Sequence, residues 1–467
     1  MLFSSITFLY YFLPLVLLIY FVVPFKAKNL VLLISSFIFY GWGEPVYVVY
    51  MALSILVQYI LGLLIEKYSG RGLAKLFIVL SVGFSLGLLG YFKYTDFFIA
   101  NFNAATGMSI PLLKIVLPVG ISFYTFQILS YTVDVYRKRI SAQRNLIDLA
   151  TYIVLFPQLI AGPIVRYIDI YKQLKVRSHS VEMVYEGLVR FVMGLAKKVL
   201  IANSLGELGD IFVKSTDKSV LFYWMYALAF ALQIYFDFSG YSDMAIGLGK
   251  IFGFTFLENF NYPFISKSIT EFWRRWHMSL GSWFRDYLYI PLGGNRVRTS
   301  RWLFNIFVVW MLTGFWHGAD WNFIIWGLFF AVLLILEKLF LSKLLEKLPS
   351  FISHIYLLII VIISFVIFDA SSMNLAFERI GAMFGASDSP LWNSNSLYYL
   401  RSYALVFIVA IIGATPMIKN LVEKAKKKEG WSKAINILSP IVTIILLVAV
   451  TAYLIDSSFN PFLYFRF

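Results

Sequence analysis

Apolar runs long enough to cross a lipid bilayer recur along this chain from residue 6 to residue 455. In hydrocarbon every backbone N–H and C=O must be satisfied internally, which leaves α-helices or a closed β-barrel. A barrel alternates polar and apolar residues over short segments. These runs are continuous, so the sequence predicts a polytopic bundle of helices. With 60% hydrophobic and 14% charged residues, a soluble enzyme and a globular domain on one anchor are both excluded. The first run, Ile6 to Pro24, has neither a basic n-region nor a small-residue cleavage site. It reads as a retained helix and not as a signal peptide.

Candidate spans fall near 6–24, 29–41, 46–66, 75–92, 118–136, 184–204, 219–236, 240–257, 302–316, 321–340, 350–368, 400–418 and 434–455. The net charge of +15 does not point to nucleic acid, because the basic residues gather in short loops between apolar runs. A cytoplasmic excess of Lys and Arg fixes orientation. It puts Lys26/Lys28, Lys67–Lys75, Arg137–Arg144, Arg166–Arg177, Arg296–Arg301, Lys338–Lys347 and Lys419–Lys433 inside, and Ser371–Tyr399 outside. Only Lys419–Lys433 is dense enough to touch anionic headgroups. There is no Cys, which rules out disulfides, thiolate nucleophiles and Fe–S clusters.

This orientation has a consequence. Arg137–Arg144 and Arg166–Arg177 share a side, yet the apolar segment Ile147–Ile164 separates them, with Pro157, Gly162 and Pro163 inside it. It must dip in and return, which lipid forbids unless protein surrounds it or it lines a cavity. Phe264–Leu292 has the same character, too polar for lipid yet enclosed by membrane segments. The expectation is one domain, residues 1–467, in which helices surround re-entrant pieces. No internal repeat is evident, which counts against an inverted-repeat transporter.

Polar chemistry concentrates in residues 237–326. Asp237-Phe-Ser-Gly-Tyr-Ser-Asp243 is followed by Phe272-Trp-Arg-Arg-Trp-His277, Arg285-Asp-Tyr287 and Thr313-Gly-Phe-Trp-His-Gly-Ala-Asp-Trp321. Ionisable residues in such a setting are costly and default to function. Two of the four histidines fall here, His277 after Trp276 and His317 after Trp316. Imidazole is the side chain best matched to proton transfer near neutral pH. A histidine beside Trp is equally a core residue with one satisfied hydrogen bond. A zinc pair lacks a third ligand at workable spacing, so no metal is expected. His179, in a basic loop, reads as solvated, and His354 as interfacial.

Asp237 and Asp243 bracket a Ser-Gly-Tyr-Ser turn. They either hold an Arg or orient a substrate, or they cap a helix starting near Tyr241. Arg274, Arg275, Arg285 and Asp286 form an internal ion-pair network, or the arginines hold phosphates of a nucleotide-like donor.

These residues carry a close resemblance. Phe156-Pro-Gln-Leu-Ile-Ala-Gly-Pro163, Tyr235-Phe-Asp-Phe-Ser-Gly-Tyr-Ser-Asp243, Glu258-Asn-Phe-Asn-Tyr-Pro263, Phe272-Trp-Arg-Arg-Trp-His-Met-Ser-Leu280, Trp283-Phe-Arg-Asp-Tyr-Leu-Tyr-Ile-Pro-Leu-Gly-Gly294 and Phe315-Trp-His-Gly318 resemble the membrane-bound O-acyltransferase (MBOAT) superfamily, in its bacterial alginate O-acetyltransferase-like branch. The resemblance implies an all-α polytopic protein: a ring of about 11–13 transmembrane helices around re-entrant segments and a central funnel or tunnel. The catalytic core would lie at about 118–340. His317 would be the catalytic base and His277 the second polar position. No cofactor would be bound. The donor substrate would be acetyl-CoA or another cytoplasmic acyl thioester, and the acceptor an envelope polysaccharide. An extracytoplasmic acyltransferase partner would complete the transfer, at the bacterial inner membrane.

The extracytoplasmic tail 456–467 ends Phe459-Asn-Pro-Phe-Leu-Tyr-Phe-Arg-Phe467 and looks like the aromatic tail of envelope-acylating members. On that resemblance Tyr464 is an acyl-relay nucleophile with His317 as its base. A phenol of pKa near 10 needs such help. The bland reading is an interfacial aromatic anchor. The rival functions are a transporter using Asp237, Asp243 and the arginines, and a non-catalytic subunit of an export machine.

Overall fold

The computed structural model describes residues 1–456 together with Phe462 and Leu463. Among the described residues the secondary structure is helical and contains no strand, as continuous apolar runs require. Seven helices in that set are long and apolar enough to cross a membrane: Tyr47–Lys67, Gly72–Thr106, Val220–Ile251, Trp321–Lys347, Ser350–Asp369, Ser394–Gly413 and Glu429–Asp456. The chain is a multi-pass all-α membrane protein. Among the other expected spans, those near 6–24 and 184–204 contain a π-helical turn, Phe8–Phe12 and Lys197–Ala202.

The chain divides into two contact-dense units. The first holds residues 1–191 and 242–257. Its helices are α1 (Leu13–Val22), α2 (Phe25–Gly41), α3 (Tyr47–Lys67), α4 (Gly72–Leu89), α5 (Thr95–Thr106), α6 (Ile121–Tyr136), α7 (Leu146–Val154), α8 (Tyr167–Lys175) and the start of α9 (Val181–Ala196). A buried polar knot joins α3, α4 and α6. Gln58 Nε2 donates to Ser85 Oγ at 2.9 Å, and Ser81 Oγ lies 2.6 Å from Gln58 Oε1 and 3.0 Å from Thr132 Oγ1. Interhelical hydrogen bonds of this kind supply cohesion where lipid removes the hydrophobic drive. After α7 the chain turns irregularly and stays buried through Val165. Protein supplies the hydrogen bonds that lipid does not. Phe156 N–H meets Ser36 Oγ at 3.0 Å, and Gln158 Nε2 donates to Tyr152 O at 2.6 Å. The expected break in the helix inside this apolar segment is present, and it is buried in protein.

The second unit holds residues 192–241 and 258–467. The end of α9 runs through a π-helical turn, Lys197–Ala202, into α10 (Asn203–Lys214), followed by α11 (Val220–Ile251). Two short helices, α12 (Ile269–Arg275) and α13 (Met278–Phe284), precede α14 (Thr299–His317) and α15 (Trp321–Leu336). Then come α16 (Ser342–Lys347), α17 (Ser350–Asp369), α18 (Met373–Met383), α19 (Ser394–Gly413), α20 (Met417–Lys426) and α21 (Glu429–Asp456); of α11, residues 242–251 belong to the first unit. A core of buried aromatic and aliphatic residues from α10, α11, α12, α15, α17 and α19 fills this unit.

One expectation fails here. The Asp237–Asp243 stretch is not a turn between two spans and caps no helix; α11 runs unbroken through it for 32 residues. Tertiary packing overrides the turn propensity of Ser239-Gly240. A Cβ on Gly240 would stand 2.7 Å from the Gly194 carbonyl oxygen, and Ser239 and Ser242 are buried. Six residues apart, the two carboxylates point in directions about 120° apart around the helix.

Candidate active site

The site is assembled in the second unit from the broken stretch around α12 and α13 and from the α14–α15 hairpin. Ser268 caps α12, accepting from Glu271 N–H at 3.1 Å. The carboxylate of Glu337, buried at 1% exposure, accepts from Ile269 N–H (2.6 Å), Thr270 N–H (2.9 Å) and the Thr270 hydroxyl (2.8 Å). An anion at the N-terminal N–H groups satisfies donors that a helix leaves open. It ties α12 to the π-helical turn Glu337–Leu341 that continues α15. α14 and α15 meet at glycines: a Cβ on Gly314 would stand 2.2 Å from Phe323 O, and one on Gly327 2.3 Å from Trp310 O. No larger residue permits that approach.

α14 ends at His317, and Asp320 opens α15 by accepting from Trp321 N–H at 2.6 Å. His317 is therefore held at a helix C-terminus. Its ring, 5% exposed, lies among Trp316 (4.9 Å between centroids), Trp326 (5.2 Å) and Phe368 (5.4 Å), all near-perpendicular. Trp316, itself buried, lies 6.1 Å from the ring of His277. The structure brings the two histidines and their tryptophans together although 40 residues separate them in sequence.

His277 sits between α12 and α13 with φ +46°. That left-handed conformation costs a residue with a Cβ on the order of 1–2 kcal/mol, and such strain clusters at functional positions. Its Nδ1 lies 3.1 Å from Asn259 Oδ1. The same oxygen accepts the Ser279 N–H at 3.3 Å and the Ser279 hydroxyl at 2.9 Å. A backbone N–H only donates, so the Asn259 atom is the carbonyl oxygen. The neutral imidazole therefore carries its proton on Nδ1 and its lone pair on Nε2. His277 lies outside the spanning helices. Complete burial, then the nearby His317, holds its imidazole well below the usual histidine range. It is the neutral form that the site favours.

A cavity of about 690 Å³ is lined by the buried His277 and Trp276 and by the exposed Arg274, Arg285 and Lys338. It spans from charged surface to the buried imidazole and falls within the range of small-molecule sites.

The other expected residues divide. Arg274 faces the cavity without an ion pair among the described residues. Arg275 is structural: its Nε and Nη2 meet Glu271 at 2.9 Å, and Nη1 donates to Asn261 O at 3.1 Å. Arg285 pairs with its neighbour Asp286 at 2.7 Å while lining the cavity. Trp276 stacks on Phe272 at 5.5 Å and packs edge-on to Phe260 at 5.1 Å. Asp243 belongs to the first unit, where Arg190 Nη2 holds it at 2.9 Å. His179 is not freely solvated; it is half-buried, with Nε2 2.9 Å from Tyr20 Oη. His354 Nδ1 lies 3.0 Å from Ser266 O.

Asp237 does not hold an arginine. Its partner is Lys198, at 2.5 Å, both side chains being 2% exposed. Asp237 Oδ2 also accepts the backbone N–H of Leu463 at 2.8 Å. Phe462, 1% exposed, lies under Lys198 Nζ (4.6 Å to the ring) and edge-on to Tyr241 (4.8 Å). These two residues are buried within their unit and do not spread on a lipid surface. Tyr464 lies outside the described residues.

Residue-level reading of the sequence did not single out Asn259, Lys198 or Glu337. Lys198 and Glu337 each stand within or at the edge of an apolar run, and an ionisable group there is a readable signal. Asn259 lies in the Glu258–Pro263 motif, but nothing in its spacing announces a bond to a residue 18 positions on.

A family model for "MBOAT, membrane-bound O-acyltransferase family" matches residues 135–376. A protein of Azotobacter vinelandii named "Probable alginate O-acetylase AlgI" is 39% identical over 499 aligned positions, covering 100% of both chains. The "Peptidoglycan O-acetyltransferase" of Helicobacter pylori is 34% identical, over 87% of this chain and 83% of its own. The "Teichoic acid D-alanyltransferase" of Bacillus subtilis is 32% identical over 46% of this chain and 58% of its own. The family match includes Asn259, His277, Trp316 and His317, and with full-length likeness alongside it, the chain that builds this buried pair of histidines belongs to the membrane-bound O-acyltransferase family.

Proposed function

We propose that the protein transfers acetyl from a cytoplasmic thioester, acetyl-CoA, to hydroxyls of an extracytoplasmic polysaccharide, and that it does so in the bacterial inner membrane. The observation that carries this reading is the cavity joining exposed Arg274, Arg285 and Lys338 to buried His277. Guanidinium and ammonium groups at its charged end suit donor phosphates. Lys338, near the end of the Trp321–Lys347 helix, and Arg296–Arg301, at the start of α14, fall in segments that charge bias puts in the cytoplasm, the compartment of the donor. The names of relatives support a polymer acceptor: they name alginate, peptidoglycan and teichoic acid.

His317 acts as general base. It takes the proton of the acceptor hydroxyl as that oxygen attacks the thioester carbonyl carbon; the C–S bond breaks, and the departing thiolate takes the proton from the imidazolium. The surrounding indoles exclude water, whose attack on the thioester is the competing reaction. His277, with Nδ1–H committed to Asn259, presents Nε2 as an acceptor. That suits orienting a substrate donor group and does not suit stabilising an oxyanion. The acceptor is either the glycan or Tyr464, which would carry acetyl outward to a partner acyltransferase. Anchoring of Phe462 and Leu463 inside the unit supports a tail that reaches inward.

Transport is the weaker reading, because the carboxylates it would use are paired, Asp237 with Lys198 and Asp243 with Arg190. The test is His317→Ala. Acetyl content of envelope glycans should fall about 10²–10⁴-fold in initial rate, with the protein still inserted and folded. Undiminished acetylation by the folded variant overturns the reading.

A further inference from the structure

The basic loops of the first unit meet around Tyr20, away from any catalytic residue assigned above. Tyr20 Oη donates its only hydrogen to Phe252 O at 2.7 Å. It therefore accepts from Arg177 Nε at 3.3 Å and from His179 Nε2 at 2.9 Å. Lys28 Nζ lies 4.5 Å from the centre of the same ring and 5.3 Å from that of Phe21. Lys28 and Arg177 are 9% and 8% exposed. Arg177 Nη1 is held by Asn29 Oδ1 (2.8 Å) and Gln173 O (3.0 Å), and its guanidinium lies against Phe25 and Phe254. Its Nη2 is buried with no hydrogen-bond partner among the described residues.

No carboxylate answers these charges. Neither Lys28 nor Arg177 forms an ion pair among the described residues. The acid nearby, Asp148, is taken up by Asn29 Nδ2 at 2.7 Å, one side chain removed. Two buried cations with a histidine donor beside them are unfavourable unless an anion offsets them. Burial and the adjoining Lys28 and Arg177 also hold His179 below its ordinary range.

The surroundings identify the anion. Phe21, Val22, Phe25, Val176 and Val181 are 43%, 77%, 40%, 78% and 87% exposed. In a membrane protein such residues meet acyl chains. Basic pockets between helices at the cytoplasmic surface are headgroup sites. We propose that Lys28 and Arg177, with His179 held beside them on Tyr20, bind the phosphodiester of an anionic phospholipid whose acyl chains lie along Phe21, Val22 and Phe25.

The test uses full-length protein in neutral detergent, titrated with phosphatidylglycerol and read by native mass spectrometry. One phosphatidylglycerol should be retained in preference to phosphatidylcholine. Lys28→Gln and Arg177→Gln should each weaken retention by about fivefold, the scale of one cation near an anionic headgroup. Lys28 Nζ lies over the Tyr20 and Phe21 rings and forms no hydrogen bond or ion pair among the described residues, so K28Q keeps the test valid where R177Q fails to fold. A K426Q/K427Q variant in the other basic patch should bind as before. Unchanged retention by K28Q overturns the site. Displacement of the lipid by millimolar inorganic phosphate overturns the lipid assignment in favour of a soluble phosphate. Loss of lipid in K426Q/K427Q but not K28Q places it elsewhere and also overturns the proposal.

Discussion

Asn259 Oδ1 accepts the Nδ1–H of His277 across 3.1 Å, and the backbone N–H of Ser279 fixes which end of the amide does so. A neutral side chain thus sets both the tautomer and the orientation of a buried imidazole. In this arrangement the proton-accepting nitrogen is decided by a residue that itself does no chemistry. The amide leaves the imidazole uncharged, which a carboxylate in the same place would not.

That difference gives the first prediction. Asn259→Asp puts an anion against Nδ1–H and favours the imidazolium, raising the pKa of His277 from its depressed value. Activity needs the neutral ring, so the acid limb of the kcat/KM profile should move to higher pH, with loss at pH 6 exceeding loss at pH 8. Asn259→Ala leaves the Ser279 N–H unpaired and should lower stability by about 1–3 kcal/mol. An N259D profile superimposable on wild type would remove His277 protonation from the reaction.

The Lys198–Asp237 pair should behave as a buried ion pair. Asp237→Ala strands a buried ammonium and should destabilise the protein by about 3–5 kcal/mol. The double replacement Lys198→Met with Asp237→Leu removes both charges and should recover most of the thermal stability in detergent. It also removes the acceptor of the Leu463 N–H, so polymer acetylation should stay low. A double variant with normal acetylation would show the tail anchor to be dispensable.

Gly314 touches no polar group of the site, yet its substitution should be felt there. A methyl at this position meets Phe323 O at 2.2 Å, so Gly314→Ala must push α14 from α15 or distort one of them. Overpacking of this kind costs about 1–3 kcal/mol. His317, three residues on, should lose its place among Trp316, Trp326 and Phe368, with a matching fall in kcat. Wild-type melting and turnover would mean that the hairpin tolerates a wider spacing.

Tyr464→Phe keeps the aromatic tail and deletes only the phenolic oxygen. If the tail carries acetyl, polymer acetylation should collapse while membrane insertion and protein level hold. Acetylation at the normal level in this variant rules out the relay and leaves direct transfer to the glycan.

Hydropathy and the helix-only rule for lipid made the all-α, multi-pass class readable from residues alone. The Pro157–Gly162–Pro163 break inside an apolar run announced a non-helical stretch enclosed by protein, because unsatisfied backbone is not tolerated in hydrocarbon. The Trp-His pairs marked the site through the cost of placing imidazole in apolar surroundings. Family motifs, and not spacing, gave the histidines their chemical roles. Partner choice lay beyond reach. Ser239-Gly240 reads locally as a turn, yet α11 packs closely against Gly194 and runs unbroken through it, and Asp237 and Asp243 meet different partners. The Asn259–His277 bond and the hold of Glu337 on α12 join residues 18 and about 70 positions apart. Burial and periodicity are properties of a segment and can be read along it. Which lone pair meets which proton depends on how separate segments dock, and that only the folded chain decides.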